Sequence, residues 1–183
     1  ELLQGNAIGK IFKIESSFGF NAGQPKDDSR LFNKKLGGGS ILDLGCYPVS
    51  MSNLIVSATS KTQINAPDIN SVTGKIYKSG VDISAKAELI YENGVVSKIE
   101  VSINETLKNS TIVYGDEGKI IIPDPWLPGK ESFIEMYKSD KVTKLKTYST
   151  FSIFASQIDF FNKNIEKKNP ECNYLAMNID SSV

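Results

Sequence analysis

The chain has 183 residues, 40% of them hydrophobic and 23% charged, with 21 basic side chains against 21 acidic ones. That length is one domain of ordinary size, and the composition excludes a disordered tail, a collagen-like rod and a disulfide scaffold. A formal net charge of zero leaves no electrostatic footprint for a phosphate backbone or an anionic bilayer, so neither nucleic acid nor membrane is an expected partner.

Residues 8–20 place Ile8, Lys10, Phe12, Ile14, Ser16, Phe18 and Phe20 on one face of an extended strand, with Ile11 breaking the polar opposite face. Residues 21–36 carry no sustained period and read as a long connection, a kind of segment that is usually functional or mobile. After Gly37-Gly38-Gly39, Ser40 as N-cap and Asp43 in the first turn predict a helix. Its apolar stripe is Leu44, Tyr47, Met51, Leu54 or Ile55, and Ala58, facing a core. Pro48 lies inside and removes an amide donor, which predicts an irregular first turn near residues 44–48.

Strand patterns then follow at 71–78, 81–91, 95–103, 110–114, 119–122, 132–138 and 141–147. Ser79-Gly80, Asn93-Gly94, Asp116-Glu117-Gly118 and Ser139-Asp140 punctuate them, with Asn93 and Gly94 both suited to positive φ. Links this short make neighbouring strands antiparallel. Ser149 or Thr150 caps a second helix whose stripe of Phe151, Phe154, Ile158, Phe161 and Ile165 reads as sheet-packing core, and Pro170 ends it. The plan is α+β, a large and mostly antiparallel sheet with helices on one face. Val81, Ile83, Ala85, Ala87, Leu89 and Tyr91 alternate with Asp82, Ser84, Lys86, Glu88 and Ile90, and Ile120, Ile121 and Ile122 run together. Apolar residues on both sides predict that the open face closes by forming a homodimer, or a tetramer of such dimers.

The chain has no histidine, and all its basic residues except Arg30 are lysine. Ser-His-Asp and Cys-His nucleophiles and most zinc sites are thereby excluded, and proton chemistry falls to Tyr, Lys, Asp, Glu or Cys. Cys46 and Cys172 stand far apart in no metal spacing. They read as unbridged thiols of a reduced, cytoplasmic protein with no metal site. No stretch approaches the ~20 apolar residues of a membrane span, and no leader opens the chain. The most unusual stretch is LGGGSILDLGCYP at residues 36–48. Its glycines suit either a structural turn or a phosphate cradle, although GxxxxGK[ST] is missing and no strand precedes it as GxGxxG requires. Asp43 and Tyr47, four apart, share a helical face. The pair reads either as a proton relay or as an acidic first turn beside a tyrosine packed under the sheet.

LGGGSILDLGCYPVS resembles the segment GGG-x-x-x-D-x-G-x-(H/Y) of the Gfo/Idh/MocA oxidoreductases, the glucose-fructose oxidoreductase and inositol dehydrogenase superfamily. IGKIFKIESSFGF, GVDISAKAELIYENGVVSKIEVSI, GDEGKIIIPDPW and NPECNYLAMNID are similar to the family's first strand after the dinucleotide domain, central hairpin, later strands and terminal helix. The tyrosine form DLGCYP looks more like the aldose and trans-dihydrodiol dehydrogenase branch than the histidine-bearing inositol branch.

The resemblance implies the second domain of an NAD(P)-dependent oxidoreductase, with an open-faced sheet like the C-terminal domain of glyceraldehyde-3-phosphate dehydrogenase. On that reading residues 1–183 are this single domain. The Rossmann domain that binds most of NAD or NADP lies outside the chain, the last helix is cut short, and the chain alone is inactive. By resemblance Tyr47 transfers the hydroxyl proton of a sugar-like or dihydrodiol substrate, Asp43 is its acidic neighbour, and a lysine of the missing half supplies positive charge. Arg30 then binds a substrate or cofactor oxygen, or forms a surface salt bridge. Trp126 lines an apolar substrate pocket or packs on the sheet, and Phe20 stands beside it or packs as core. An inactive family member and a free-standing dimerisation or binding module are the competing readings.

Overall fold

A computed structural model describes residues 1–26, 28–60 and 65–166. Cys172, Pro170 and the NPECNYLAMNID segment fall outside the described residues. Eight strands form one sheet in the order β2-β3-β4-β1-β5-β6-β7-β8. They are β1 (Ile11–Gly19), β2 (Asp68–Ile76), β3 (Asp82–Ile90), β4 (Val96–Ser102), β5 (Ser110–Gly115), β6 (Gly118–Pro123), β7 (Glu131–Lys138) and β8 (Lys141–Tyr148). The two helices are α1 (Cys46–Thr59) and α2 (Ile153–Glu166). Every strand expected from the sequence is present.

Two antiparallel meanders flank β1, which pairs parallel with β4 and antiparallel with β5. The parallel pair is possible because the chain leaves β1, crosses through α1, and returns only after β2 and β3. The hairpins at Gly80 and Gly94 share one geometry. In each, the glycine sits at φ 83 and its amide closes on Tyr77 or Tyr91 at 2.8 Å. Asn93 does not take positive φ with Gly94, as the dipeptide suggested; its side chain instead accepts from the Val95 amide at 3.2 Å. Ser139 and Asp140 do both adopt positive φ, 47 and 60, as a two-residue hairpin requires.

The core lies between the sheet and α1. Ile8, Ile11, Ile14, Val113 and Ile120 surround Ile55 and Val56 of α1. Phe18, Leu89, Ile99, Val101 and Ile103 pack with Leu44, Phe32 and Trp126. The strict alternation expected along β1 fails at its start, where a register shift between Ile11 and Lys13 turns Ile11 inward and leaves Phe12 51% exposed. The α1 stripe is also rotated from its expected positions. Leu44, Pro48, Ser52, Ile55 and Val56 are buried, whereas Tyr47 and Leu54 are exposed. The cause is a π-turn at Ile41–Gly45, the irregularity expected near Pro48, which inserts residues per turn and shifts the phase of all that follow. The helical run 34–59 is long and apolar enough to pass for a membrane span by length and composition. Gly37 breaks it in the left-handed region, and Leu44, Ile55 and Val56 are buried in the core beneath the sheet.

Two expectations about the layers need correction. The α2 stripe is not core: Phe151, Phe154, Ile158, Phe161 and Ile165 are all at least half exposed. The helix follows edge strand β8, itself almost wholly exposed, and among the described residues none of its side chains is buried. The open sheet face is also less apolar than supposed. Ala85 and Leu89 are buried in the core on the α1 side, so the alternating positions of β3 give the open face Lys86 and Glu88. These pair with Glu100 at 2.9 Å and Lys98 at 3.2 Å. Of the three isoleucines, Ile120 turns inward, whereas Ile121 pairs with Ile112 on the open side.

On that open face the Tyr114 hydroxyl donates to Glu15 at 2.7 Å, and Lys13 lies 3.0 Å from the same carboxylate. The Tyr114 bond, with Lys13, holds the Glu15 carboxyl below its usual range. Burial, with the Glu15 contact, pushes the Tyr114 phenol from 10.0 up to about 12. A phenol raised in the folded state contributes stability below its unfolded value and loses it as pH climbs through the folded one. The melting temperature should therefore fall between about pH 10 and 12, and less steeply in Tyr114→Phe. Equal slopes for the two proteins would refute the coupling.

Candidate active site

The glycine run and the loop before it are built together. The Gly38 and Gly39 amides donate to Asn33 and Leu31 carbonyls, each at 3.0 Å. A Cβ on Gly38 would stand 2.6 Å from the carbonyl oxygens of both Arg30 and Leu31. Only glycine permits that approach, which lays short 3-10 turns, Arg30–Phe32 and Lys34–Leu36, against the start of the π-turn. Phe32 anchors the loop at 2% exposure.

Ser40 does not cap the helix with its own side chain. Its hydroxyl donates to the Asp82 carboxylate at 2.5 Å, and the Ile41 amide donates to the same oxygen at 2.8 Å. The amide that a phosphate would need is thus occupied by a carboxylate, which repels anions. The phosphate-cradle reading of Gly37–Gly39 fails on this contact, and the structural turn holds.

The loop delivers Arg30 to Asp43, with guanidinium nitrogen and carboxylate oxygen 2.6 Å apart. The Asp43 side chain is 16% exposed and that of Arg30 61%, so the pair sits on a rim with the cation outward. Asp43 is drawn to Arg30 rather than held against Tyr47.

Tyr47 is 46% exposed and not packed under the sheet. Its ring meets Phe18 edge-on, with centroids 5.2 Å apart and planes at 89°, and meets Trp126 at 6.2 Å and 67°. Phe18 and Trp126 stack at 5.5 Å, and the indole N–H donates to the Ser17 carbonyl at 2.8 Å. Three rings from β1, α1 and the β6–β7 connection thus fix one another, and buried rings in such pairs resist reorientation. A cavity of about 320 Å³ opens beside the indole, lined by Phe18, Asn109, Asp124, Leu127 and Glu131 among others.

Of the residues singled out from the sequence, the structure joins Tyr47 to Trp126 and Asp43 to Arg30. Phe20 is half-buried at the margin of the core, and the ring beside Trp126 is that of Phe18 instead. Phe20 lies past the end of β1, and Phe18 lies inside it. Phe18 and Asp82 are the participants that the sequence reading missed. Phe18 was legible only as one apolar residue of a strand, and Asp82 gave no local signal.

A family model described as the GFO/IDH/MocA C-terminal domain matches residues 1–121. The chain is 31% identical over 128 residues to trans-1,2-dihydrobenzene-1,2-diol dehydrogenase of Xenopus tropicalis, covering 69% of this chain and 36% of that protein. It is 22% identical to D-xylose 1-dehydrogenase (NADP(+)) 2 of Haloferax volcanii, covering 90% of this chain and 48% of that one. Among solved structures, a 3-ketoreductase from Actinomadura kijaniata in complex with NADP and TDP-benzene superimposes with a TM-score of 0.78 at 19% identity. That superposition covers 91% of this chain and 49% of the ketoreductase. The chain therefore spans half or less of the length of these relatives.

Proposed function

Because the chain belongs to the GFO/IDH/MocA family through its C-terminal domain, we propose that it is the substrate-binding half of a cytoplasmic NAD(P)-dependent dehydrogenase. The substrate class is a sugar-like or dihydrodiol alcohol and its carbonyl counterpart. The observation that supports this reading is the Tyr47 ring, clamped by Phe18 and Trp126 yet with nearly half its surface open to solvent, beside the Arg30–Asp43 rim.

The described residues suit the rim of a dinucleotide site rather than its phosphate seat, since Asp82 occupies the one glycine-led helix start. The nucleotide is then held chiefly by a preceding Rossmann domain. When bound, the nicotinamide exchanges hydride with the substrate carbon. In the oxidation direction Tyr47 takes the hydroxyl proton of the substrate, and in reduction it returns the proton to the carbonyl oxygen. Arg30 donates to a substrate oxygen, and Asp43 keeps its guanidinium pointed at the rim. Trp126 and Phe18 wall the site and exclude water from the apolar side of the substrate.

Two apolar surfaces fit the same division of labour. One is the exposed α2 stripe. The other is a groove of about 770 Å³ beside α1, lined by Leu2, Leu3, Met51, Leu54, Ile120 and Ile134 among others. Both are seats for the nucleotide-binding half, and their exposure disfavours a free-standing module. The decisive test is turnover of the full-length protein with NAD and NADP against aldoses, inositols and dihydrodiols. No nicotinamide-dependent turnover with any of them would support an inactive family member instead.

The open sheet face is the proposed homodimer surface. Ile112 and Ile121, paired across β5 and β6, form a small apolar patch flanked by the Lys86–Glu100 and Lys144–Glu135 ion pairs, a mixture that a twofold axis can match to itself. Sedimentation at micromolar concentration should give twice the 20.1 kDa chain mass. A clean monomer would show that a second copy does not close this face.

A further inference from the structure

We infer that Asp82 is a positioning residue for the Tyr47 site, acting as a helix cap supplied from another strand. The inference rests on the reading of Tyr47 as the proton-transferring group. The helical run that carries Asp43 and Tyr47 begins at Ser40 and Ile41, and both of these donate to one oxygen of the Asp82 carboxylate, at 2.5 and 2.8 Å. Ser40 is fully buried, so its hydroxyl has no water to turn to if that acceptor is lost. The second carboxylate oxygen lies against Gly39, where an added Cβ would stand 2.4 Å from it at a backbone φ of 125. Asp82 therefore fixes both the last glycine of the run and the first turn of the helix.

Asp82 is itself held firmly. It opens β3, immediately after the hairpin closed by the Tyr77–Val81 bond at 2.8 Å. The carboxylate also lies at the positive end of the helical dipole, where a negative charge is favourable. A one-oxygen acceptor explains why an ordinary N-cap serine is bent away from its usual task. It also links the sheet directly to the turn that aims Tyr47 at Phe18 and Trp126.

Trp126 is the single tryptophan of the chain and touches Tyr47, so it reports the site without any need for turnover. In this chain Asp82→Ala should raise acrylamide quenching of Trp126 about twofold and weaken its near-ultraviolet circular dichroism, because Tyr47 no longer shields the indole. Asp82→Asn keeps a carbonyl oxygen able to accept both bonds and should leave both signals within about a fifth of the parent. In the full-length enzyme Asp82→Ala should lower kcat at least about tenfold with KM for the nucleotide within twofold, and Asp82→Asn should restore most of kcat. An Asp82→Ala protein with parent-like Trp126 signals overturns the inference. So does Asp82→Asn behaving like Asp82→Ala, since charge and not acceptance would then matter. If Asp82→Ala does not fold, Ser40→Ala decides: a smaller shift in the same direction is expected, and no shift overturns the inference. If the parent full-length protein shows no turnover at all, the functional reading fails while the Trp126 comparison still judges the cap.

Discussion

Replacing Tyr47 by phenylalanine in the full-length protein should lower the chemical step at least about a hundredfold, the lower range for a lost general acid or base. The substitution is clean because the contacts that hold the ring, edge-on to Phe18 and tilted to Trp126, are made by its aromatic face and edge and not by the hydroxyl. Stability and Trp126 emission should therefore stay at parent values while turnover collapses. A hundredfold loss corresponds to about 2.7 kcal/mol of transition-state stabilisation, far above what a rearranged surface tyrosine accounts for. Stopped-flow measurement of nicotinamide reduction separates that step from product release. Parent-like rates in Tyr47→Phe would remove the proton-transfer role and leave the tyrosine as part of the wall.

The strands were legible in the sequence because their boundaries are set by local turn chemistry. The Gly80 and Gly94 hairpins and the Ser139-Asp140 pair each need positive φ at a fixed place, and short links leave no choice but antiparallel neighbours. What the sequence hid was every feature settled by a distant partner. The bulge at Ile11 depends on how β1 meets β5. The phase of α1 depends on a π-turn whose start is tied to Asp82, forty-odd positions away. A regular 3.6-residue period read straight through residues 41–45 puts Tyr47 on the core-facing stripe, whereas the structure leaves it 46% exposed, as the proton-relay reading of the Asp43–Tyr47 pair requires. For α2 the period was right and the inference from it was wrong, because an apolar stripe reveals that a helix seeks a partner and not where that partner lies.

The same distinction applies to the site. Tyr47, Asp43, Arg30 and Trp126 could be singled out individually, but their grouping into a Tyr47–Trp126–Phe18 cluster and an Arg30–Asp43 pair required coordinates. Arg30 could equally have faced a ligand or a carboxylate, and Asp43 could have faced Tyr47. The close approach at Gly38 resolves both ambiguities, because it fixes the loop that carries Arg30 against the turn that carries Asp43.

Ile14→Ala should destabilise the chain by about 3–4 kcal/mol, within the range seen when a buried isoleucine is cut to its Cβ. Ile14 has 0% exposure and lies in the central strand of the sheet, in the layer that packs under Ile55 and Val56 of α1 and beside Val113 of β5. Neighbours fixed in a sheet ladder on both sides cannot collapse into the space, so the lost burial is joined by the cost of a cavity. Ile14→Val removes one methylene and should cost about 1 kcal/mol, which makes the pair a test of packing rather than of strand formation. The effect also reaches the site, since Phe18 is carried on the same strand and face and is one of the two rings that clamp Tyr47. Urea unfolding followed through Trp126 reads stability and the local environment of that cluster together. A loss below about 1 kcal/mol for Ile14→Ala would mean that α1 re-seats freely on the sheet. A helix that slides in this way could not hold Tyr47 at a fixed angle to Trp126, and the catalytic geometry would then have to be imposed by the nucleotide-binding half.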